Sequence, residues 1–470
     1  MSTVPARRIS SPAVSAPPSR RAFLRTTALA ASALGFPAVV RAARPNGKLQ
    51  LAVIGVSARG YADLHSLASH PAVAYVGFCD IDRANFVKAD AAHPGVPHFA
   101  DFRAMYAKLG DTLDAVVVAT PDHMHALPAI EAMRRGKHVY CQKPLAHTVW
   151  ECRQMRLWAA KSGVVTHMGN QIHSAVEYRL ATRLIREGAI GKVKAVHSWL
   201  GYTGNERTRL LEPPAPAPVP AGVDWDLWLG GAPARPYAPV YHPFAWRDWQ
   251  DFGGGALGDF GAHIFDPVFT ALGLTAPLTV VADNSGINRH IWPTQETVRY
   301  VFPGTAFTAG RTLPLTWTDG GLRPDRKLAR LPPELDLPKH GSLFIGEAGN
   351  LVLPHVGGPR LYPVEKFTGF AYPKDIRGLN HWHSWIDAIL AGGRTTDGFD
   401  YAGPLSETVQ LGNVATRAVV PPTPKRGSNV PADVAPLEWD AANLRIVNNA
   451  SAHALLTKSY RAGWEVPAAD

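Results

Sequence analysis

The apolar run Leu49-Gln50-Leu51-Ala52-Val53-Ile54 passes directly into Gly55-Val56-Ser57-Ala58-Arg59-Gly60, and this junction constrains the chain more than any other. A short, nearly unbroken apolar run bounded by glycine reads as a strand buried on both faces, as in a parallel sheet. From Tyr61 to Ser69, Leu64, Leu67 and Ala68 recur at helical spacing and predict a helix. A second strand, Ala74-Tyr75-Val76-Gly77-Phe78-Cys79, then ends at Asp80.

Strand, glycine turn, helix, strand and terminal acid form a Rossmann dinucleotide fingerprint. Gly55 allows the tight turn, Gly60 lets helix and strand approach, and the amides around Ser57 and Arg59 face a pyrophosphate. Asp80 is placed for ribose hydroxyls and favours NAD over NADP, while Arg83 leaves NADP open. The middle glycine of the fingerprint is Ser57. The series continues with strand Asp114–Ala119, the loop Thr120-Pro121-Asp122-His123-Met124-His125, a helix from Leu127 to Arg135, and strand His138–Cys141 before Gln142-Lys143-Pro144. Ligands of such sheets lie at the carboxyl ends of the strands, where these polar residues fall. His123 and His125 have no third ligand nearby in sequence, so no metal is assigned to them.

Beyond Lys192 the pattern changes to longer strands: Val193–Trp199, Leu278–Ala282 and Val298–Phe302. Pro213-Pro214-Ala215-Pro216-Ala217-Pro218-Val219-Pro220 reads as an extended spacer in a surface loop. Between them stands Gly253-Gly254-Gly255-Ala256-Leu257-Gly258-Asp259-Phe260-Gly261-Ala262-His263, whose Asp259 and His263 share one face of a helix. An imidazole with a carboxylate to orient it suits proton abstraction from a hydroxyl; the same pair also suits a helix cap and a core hydrogen bond. No third ligand stands nearby, so no metal is assigned here either. Trp225, Trp228, Trp246 and Trp249, with Tyr237, Tyr241, His242 and Arg247, offer flat rings and donors for a sugar, or simply core packing. Asn380-His381-Trp382-His383-Ser384-Trp385 opens a further helix.

Taken in order, these motifs resemble the Gfo/Idh/MocA oxidoreductases. That family's glycine turn corresponds to Gly55–Gly60, its E-K-P motif to Gln142-Lys143-Pro144, and its D-x-x-x-H motif to Asp259–His263. Gly169-Asn170-Gln171, Asp224-Trp225-Asp226-Leu227-Trp228-Leu229-Gly230 and Asp387-Ala388-Ile389 extend the similarity over roughly 48–430. The resemblance implies an α/β protein: an N-terminal Rossmann dinucleotide-binding domain, and a C-terminal α/β domain with a large, mostly antiparallel open sheet through which copies pair. It implies cofactor contacts from Gly55, Ser57, Arg59, Gly60, Asp80, Thr120, Pro121, His123, Gln142, Lys143 and Asn170. It implies catalysis by Lys143, Asp259 and His263, with Lys143, Trp246, Arg247 and His263 facing the substrate. The expected reaction is NAD(P)-dependent hydride transfer at a secondary hydroxyl of a sugar, glycoside or cyclitol. The alternatives are an NAD-dependent glycosidase that oxidises transiently and eliminates, and a non-catalytic NAD-binding protein. Gln142 stands where the family motif has Glu.

Charge supplies the localisation. Of 470 residues, Lys and Arg number 48 against 38 Asp and Glu, a surplus of +10. Arg7, Arg8, Arg20, Arg21, Arg25 and Arg41 lie in a leader that has no acid, so most of the surplus is there and gives no case for nucleic acid. Ser19-Arg20-Arg21-Ala22-Phe23-Leu24-Arg25, an uncharged run, and the small residues Val40 and Ala42 resemble a twin-arginine export signal. The expected organisation is a signal over 1–43, the Rossmann domain over 44–170, the substrate and oligomerisation domain over 171–430, and an extension over 431–470. The expected location is the periplasm, with a tightly held cofactor. No membrane span is expected, and Cys79, Cys141 and Cys152 are too few for a disulfide framework.

Overall fold

The computed structural model describes residues 47–202, 207, 209–419 and 435–469. Residues 1–46, and with them the expected export signal, lie outside the described residues.

Six parallel strands form the first sheet: β1 (Leu49–Ile54), β2 (Val73–Cys79), β3 (His98–Phe99), β4 (Ala115–Val118), β5 (His138–Gln142) and β6 (Thr166–Gly169). Their order is β3-β2-β1-β4-β5-β6. The strand order reverses between β1 and β4, which opens a crevice beyond their carboxyl ends. The helix predicted after the glycine turn is Ala58–Ala68, and the one after the Thr120 loop is Ala126–Arg134.

Nine strands form the second sheet: β7 (Val193–Leu200), β8 (Thr279–Asn284), β9 (Glu296–Pro303), β10 (Thr312–Thr318), β11 (His340–Gly346), β12 (Asn350–Pro354), β13 (Arg360–Tyr362), β14 (Leu437–Asp440) and β15 (Arg445–Ile446). Their order is β13-β12-β11-β7-β10-β9-β8-β14-β15, antiparallel at every junction but β7–β10. The motif helix Gly255–Leu272 is apolar around most of its girth, with Leu257, Ile264, Phe265, Val268, Phe269 and Leu272 all buried, as a helix enclosed by protein must be. One hydrophobic cluster runs from Val116 and Val139 of the first sheet through Phe265 to Trp317 and Phe344 of the second.

The two domains are not consecutive in sequence. Helix His381–Leu390, expected within the second domain, packs on helix Ala58–Ala68 and buries Trp385 and Ile386 among Val53, Tyr140 and Val165 of the first. Helix Phe399–Ala418 packs on helix Val149–Ser162, where Arg153 and Glu407 form a buried two-pronged pair at 2.8 Å. The segment read as an extension is built in as well. β14 pairs with β8, and Lys458 reaches Glu151 at 3.0 Å. Periodicity reports the face an element buries but not its partner, so these returns carry no local signal. No helix among the described residues is long and apolar enough to cross a membrane.

Candidate active site

Gly55 ends β1 at φ +85°, and a Cβ there would stand 2.6 Å from the Ala119 carbonyl oxygen. A Cβ at Gly60 would lie 1.8 Å from the Gly55 carbonyl oxygen. Both positions therefore admit only glycine, and the turn holds β1, β4 and the helix start together. Ser57 is the N-cap of that helix, whose first amides have no intrahelical acceptor and can receive an anion. Arg59 is exposed on its first turn. Asp80 ties the turn to β2, accepting from the Val56 amide on one oxygen and from the Asp82 amide and Asn85 Nδ2 on the other, each at 3.0 Å. A carboxylate accepts about four hydrogen bonds, so Asp80 keeps capacity for a ribose hydroxyl. This cradle fits a dinucleotide.

At the end of β5, Lys143 Nζ donates to Asp259 Oδ1 at 2.5 Å and to the Asp259 carbonyl at 2.7 Å. Arg207 Nη2 donates to Asp259 Oδ2 at 2.5 Å, and Arg247 Nε lies 3.5 Å from Oδ1. Burial raises the Asp259 pKa, but Lys143, Arg247 and Arg207 reverse that and hold the carboxyl well below the usual range. The expected Asp259–His263 partnership is therefore corrected: the carboxylate is taken up by three cations. The imidazole is held instead by Asn170, whose Oδ1 lies 2.5 Å from His263 Nδ1 while its Nδ2 donates to the Ala262 carbonyl at 3.1 Å. With the amide fixed in that sense, Nδ1 carries the proton and Nε2 is the basic nitrogen. Burial, Lys143 and His355 press the His263 pKa well down, so the ring is neutral. Lys143 Nζ and His263 flank the Phe260 ring, 5.9 Å and 6.0 Å from its centroid. The fold thus brings an ammonium and a neutral imidazole to one patch.

Other expected residues are placed differently. His123 is buried with Nε2 on the Trp228 carbonyl at 2.9 Å, packed on Trp228 and Phe252, so its side chain braces the second domain and does not face a cofactor. Trp246 is buried with Trp228 and Trp249 and carries the Arg247 guanidinium 4.1 Å above its ring. It supports Arg247 and is not a sugar platform. Thr120 and Pro121 lie half-buried at the end of β4 as expected, with the Thr120 hydroxyl bonded to the Met124 carbonyl at 3.0 Å.

Several residues escaped the sequence reading. Arg207 lies in an unpatterned stretch and gave no signal. His355 has Nδ1 3.1 Å from the Tyr178 hydroxyl and its ring 5.5 Å from that of His263. Asp122, inside the loop already singled out, is buried and pushed up to about 7 by desolvation, against the pull of Arg247. Asp63 lies beneath Gln142, accepting from Gln142 Nε2 at 2.7 Å and Trp382 Nε1 at 2.9 Å.

Two family models match the chain: "Oxidoreductase family, NAD-binding Rossmann fold" over residues 49–170, and "Oxidoreductase family, C-terminal alpha/beta domain" over 183–303. The chain belongs to the Gfo/Idh/MocA oxidoreductase family. It is similar to a 2,7-anhydro-N-acetylneuraminate hydratase of Escherichia coli, 38% identical over 101 residues that make up 21% of this chain and 26% of that protein. It is also similar to a glycosyl hydrolase family 109 protein of Shewanella putrefaciens, 29% identical over 171 residues, 35% of this chain and 37% of the relative. The matches thus span about a quarter to a third of these curated relatives. Among solved structures, the WlbA dehydrogenase from Chromobacterium violaceum, in complex with NADH and UDP-GlcNAcA, shares the fold at TM-score 0.57 and 17% identity, over 84% of this chain and all of that one.

Within the Gfo/Idh/MocA frame, Asp63 explains the departure at Gln142. A glutamate there would oppose a second carboxylate in a buried contact, whereas the amide donates to it.

Proposed function

We propose that this protein is an NAD-dependent oxidoreductase acting on a secondary hydroxyl of a carbohydrate-like substrate. The observation that carries this reading is His263, its Nδ1 held by Asn170 so that Nε2 is left for a substrate, set with Lys143 around the Phe260 ring at the mouth of a dinucleotide cradle. When bound, NAD supplies the hydride acceptor. The turn at Gly55, Ser57 and Gly60, the helix start at Arg59 and the carboxylate of Asp80 would hold it. His263 Nε2 takes the hydroxyl proton, and Asn170 keeps the ring in the tautomer that can do so. Lys143, Arg207 and Arg247 face Asp259 and the Asp248 carboxylate that Arg207 also meets at 3.2 Å, three cations to two carboxylates, so the charge developing on the substrate oxygen meets a surplus of one positive charge. Asp259 positions Lys143 rather than the base.

The similarity to a glycosyl hydrolase family 109 protein favours a second reading, a redox-neutral glycosidase on the same residues. Oxidation of a ring carbon acidifies the adjacent C–H, the aglycone leaves by elimination, water adds, and the ketone is reduced again.

Purified protein, incubated with natural and chromogenic glycosides without added NAD, separates the two. Net reduction of the cofactor without aglycone release supports the dehydrogenase. Many turnovers of release without net absorbance change support the glycosidase. Neither activity on any sugar, glycoside or cyclitol overturns both. Export by the twin-arginine leader and pairing through the second sheet complete the proposal. Secretion of a fusion carrying residues 1–43, lost on Arg20→Lys and Arg21→Lys together, tests the first, and light scattering tests the second.

A further inference from the structure

His173, Asp266 and Asp397 meet inside the protein, away from the Lys143 cluster, with ligand atoms from all three within 4.8 Å of one another. All three are buried, Asp397 completely. His173 Nδ1 lies 2.8 Å from Asp266 Oδ1, and its Nε2 lies 3.1 Å from the Thr396 hydroxyl. The Tyr401 hydroxyl donates to Asp266 Oδ1 at 2.7 Å. Both carboxylate oxygens of Asp397 are buried without a hydrogen-bond partner. A buried carboxylate with no donor is costly; among the described residues no Lys or Arg forms an ion pair with this group, and Arg179 lies near enough for its charge to act on His173.

We propose that His173, Asp266 and Asp397 bind one divalent transition-metal ion, with zinc the best fit. Imidazole with carboxylates is a donor set for zinc and its first-row neighbours. Calcium or magnesium would call for more oxygen ligands than the two carboxylates of this buried site provide. Neutral imidazole, two carboxylates and a dication sum to zero charge, so the ion compensates Asp397 and Asp266 together. Nε2 of His173, held by Thr396, is the outer nitrogen, as metal-bound histidines arrange it. That leaves Nδ1 to face the ion. Bonds of about 2.1 Å in a tetrahedron set ligand atoms about 3.4 Å apart, so the His173–Asp266 contact opens slightly to admit it. Tyr401 supplies a hydroxyl at the rim, on Asp266 Oδ1, while Thr396 stays on the outer side of the ring. A site closed to solvent on this scale is structural. It would fasten the turn after β6, the motif helix and the head of helix Phe399–Ala418 to one another.

The test reads metal and stability, not turnover, so its outcome is independent of the proposed activity. Full-length protein purified without chelators is expected to hold about one zinc per chain by mass spectrometry, and stripping it to lower Tm by on the order of 5 °C, restored by zinc. His173→Gln and Asp397→Asn are each expected to lose the metal. Should either variant fail to fold, anomalous scattering at the zinc edge from the wild-type protein locates the ion. Wild-type protein with less than about 0.1 zinc per chain after zinc is offered, and a Tm indifferent to zinc and chelator, overturns the proposal. So does an ion that both variants retain in full, or one located elsewhere.

Discussion

Restoring glutamate at position 142 is expected to weaken the protein in a way that grows with pH. Burial, opposed by hydrogen bonds from Trp382 and Gln142 and by the charge of Arg59, pushes Asp63 up to about 6 from 3.8. An acid with a raised folded-state pKa contributes stability that is full below its unfolded pKa and lost as pH rises through the folded one. In the natural protein this loss is complete a little above pH 6. In Gln142→Glu the 2.7 Å amide contact becomes two carboxyls about 3 Å apart, which repel by about 5 kcal/mol at an effective dielectric of 20, or about 4 pH units. One proton then stays shared well above pH 8, and the variant goes on losing about 1.4 kcal/mol per pH unit after the parent has stopped. Between about pH 6 and pH 8 the variant loses about 2.7 kcal/mol and the half-titrated parent about 0.4 kcal/mol, so the gap between the two proteins should widen by about 2.3 kcal/mol. Urea unfolding of both proteins at those two pH values, followed by tryptophan fluorescence, measures it. An equal gap at the two pH values would refute the Gln142–Asp63 account.

Gly60→Ala should lower Tm and abolish NAD binding in equilibrium dialysis, because the added methyl meets the Gly55 carbonyl at 1.8 Å; unchanged binding would show slack in the turn. Arg153→Met strands Glu407 and should cost about 3–5 kcal/mol in chemical denaturation; a cost below about 1 kcal/mol would mean that the pair is solvated. His263→Ala should cut kcat by about 10²–10⁴. Because burial, Lys143 and His355 hold His263 well below its ordinary range, the acid limb of kcat/KM in the natural protein should lie well under about 6.5; a limb at that ordinary value would point to another base.

The Rossmann half was legible because its signals are local. Each of its longer strands is an apolar run, and the residues that end β1, β4 and β5 stand at the carboxyl edge whatever happens elsewhere. Lys143 and His263 were legible for the same reason, each embedded in a motif. Asp259 was read as the partner of His263 because the two share a helix face; its ligands Lys143 and Arg207 come from distant segments, and sequence spacing ranks only near neighbours. Arg207 has no pattern around it, and Asn170, expected at the cofactor, holds His263. The tryptophans before the motif helix are as compatible with a sugar platform as with a core, and burial alone decided for the core. β14 is as long as β4 but lacks its apolar run, and β15 has only two residues, so neither reads as a strand. His173, Asp266 and Asp397 lie so far apart along the chain that no spacing rule for metal ligands reaches them.

The return of helix His381–Leu390 to the first domain has a consequence in time. Trp385 closes the face of β5 and β6 by lying against Tyr140 and donating from Nε1 to the Val165 carbonyl at 3.3 Å, yet it is synthesised more than two hundred residues after them. A nascent chain that has finished β6 therefore holds an incomplete domain, with apolar surface open until most of the remaining sequence has been made. Contacts this distant in sequence make closure slow and leave the intermediate prone to aggregation. A fragment ending near residue 170 should accordingly be insoluble. For this chain the first domain to be translated is among the last to be completed.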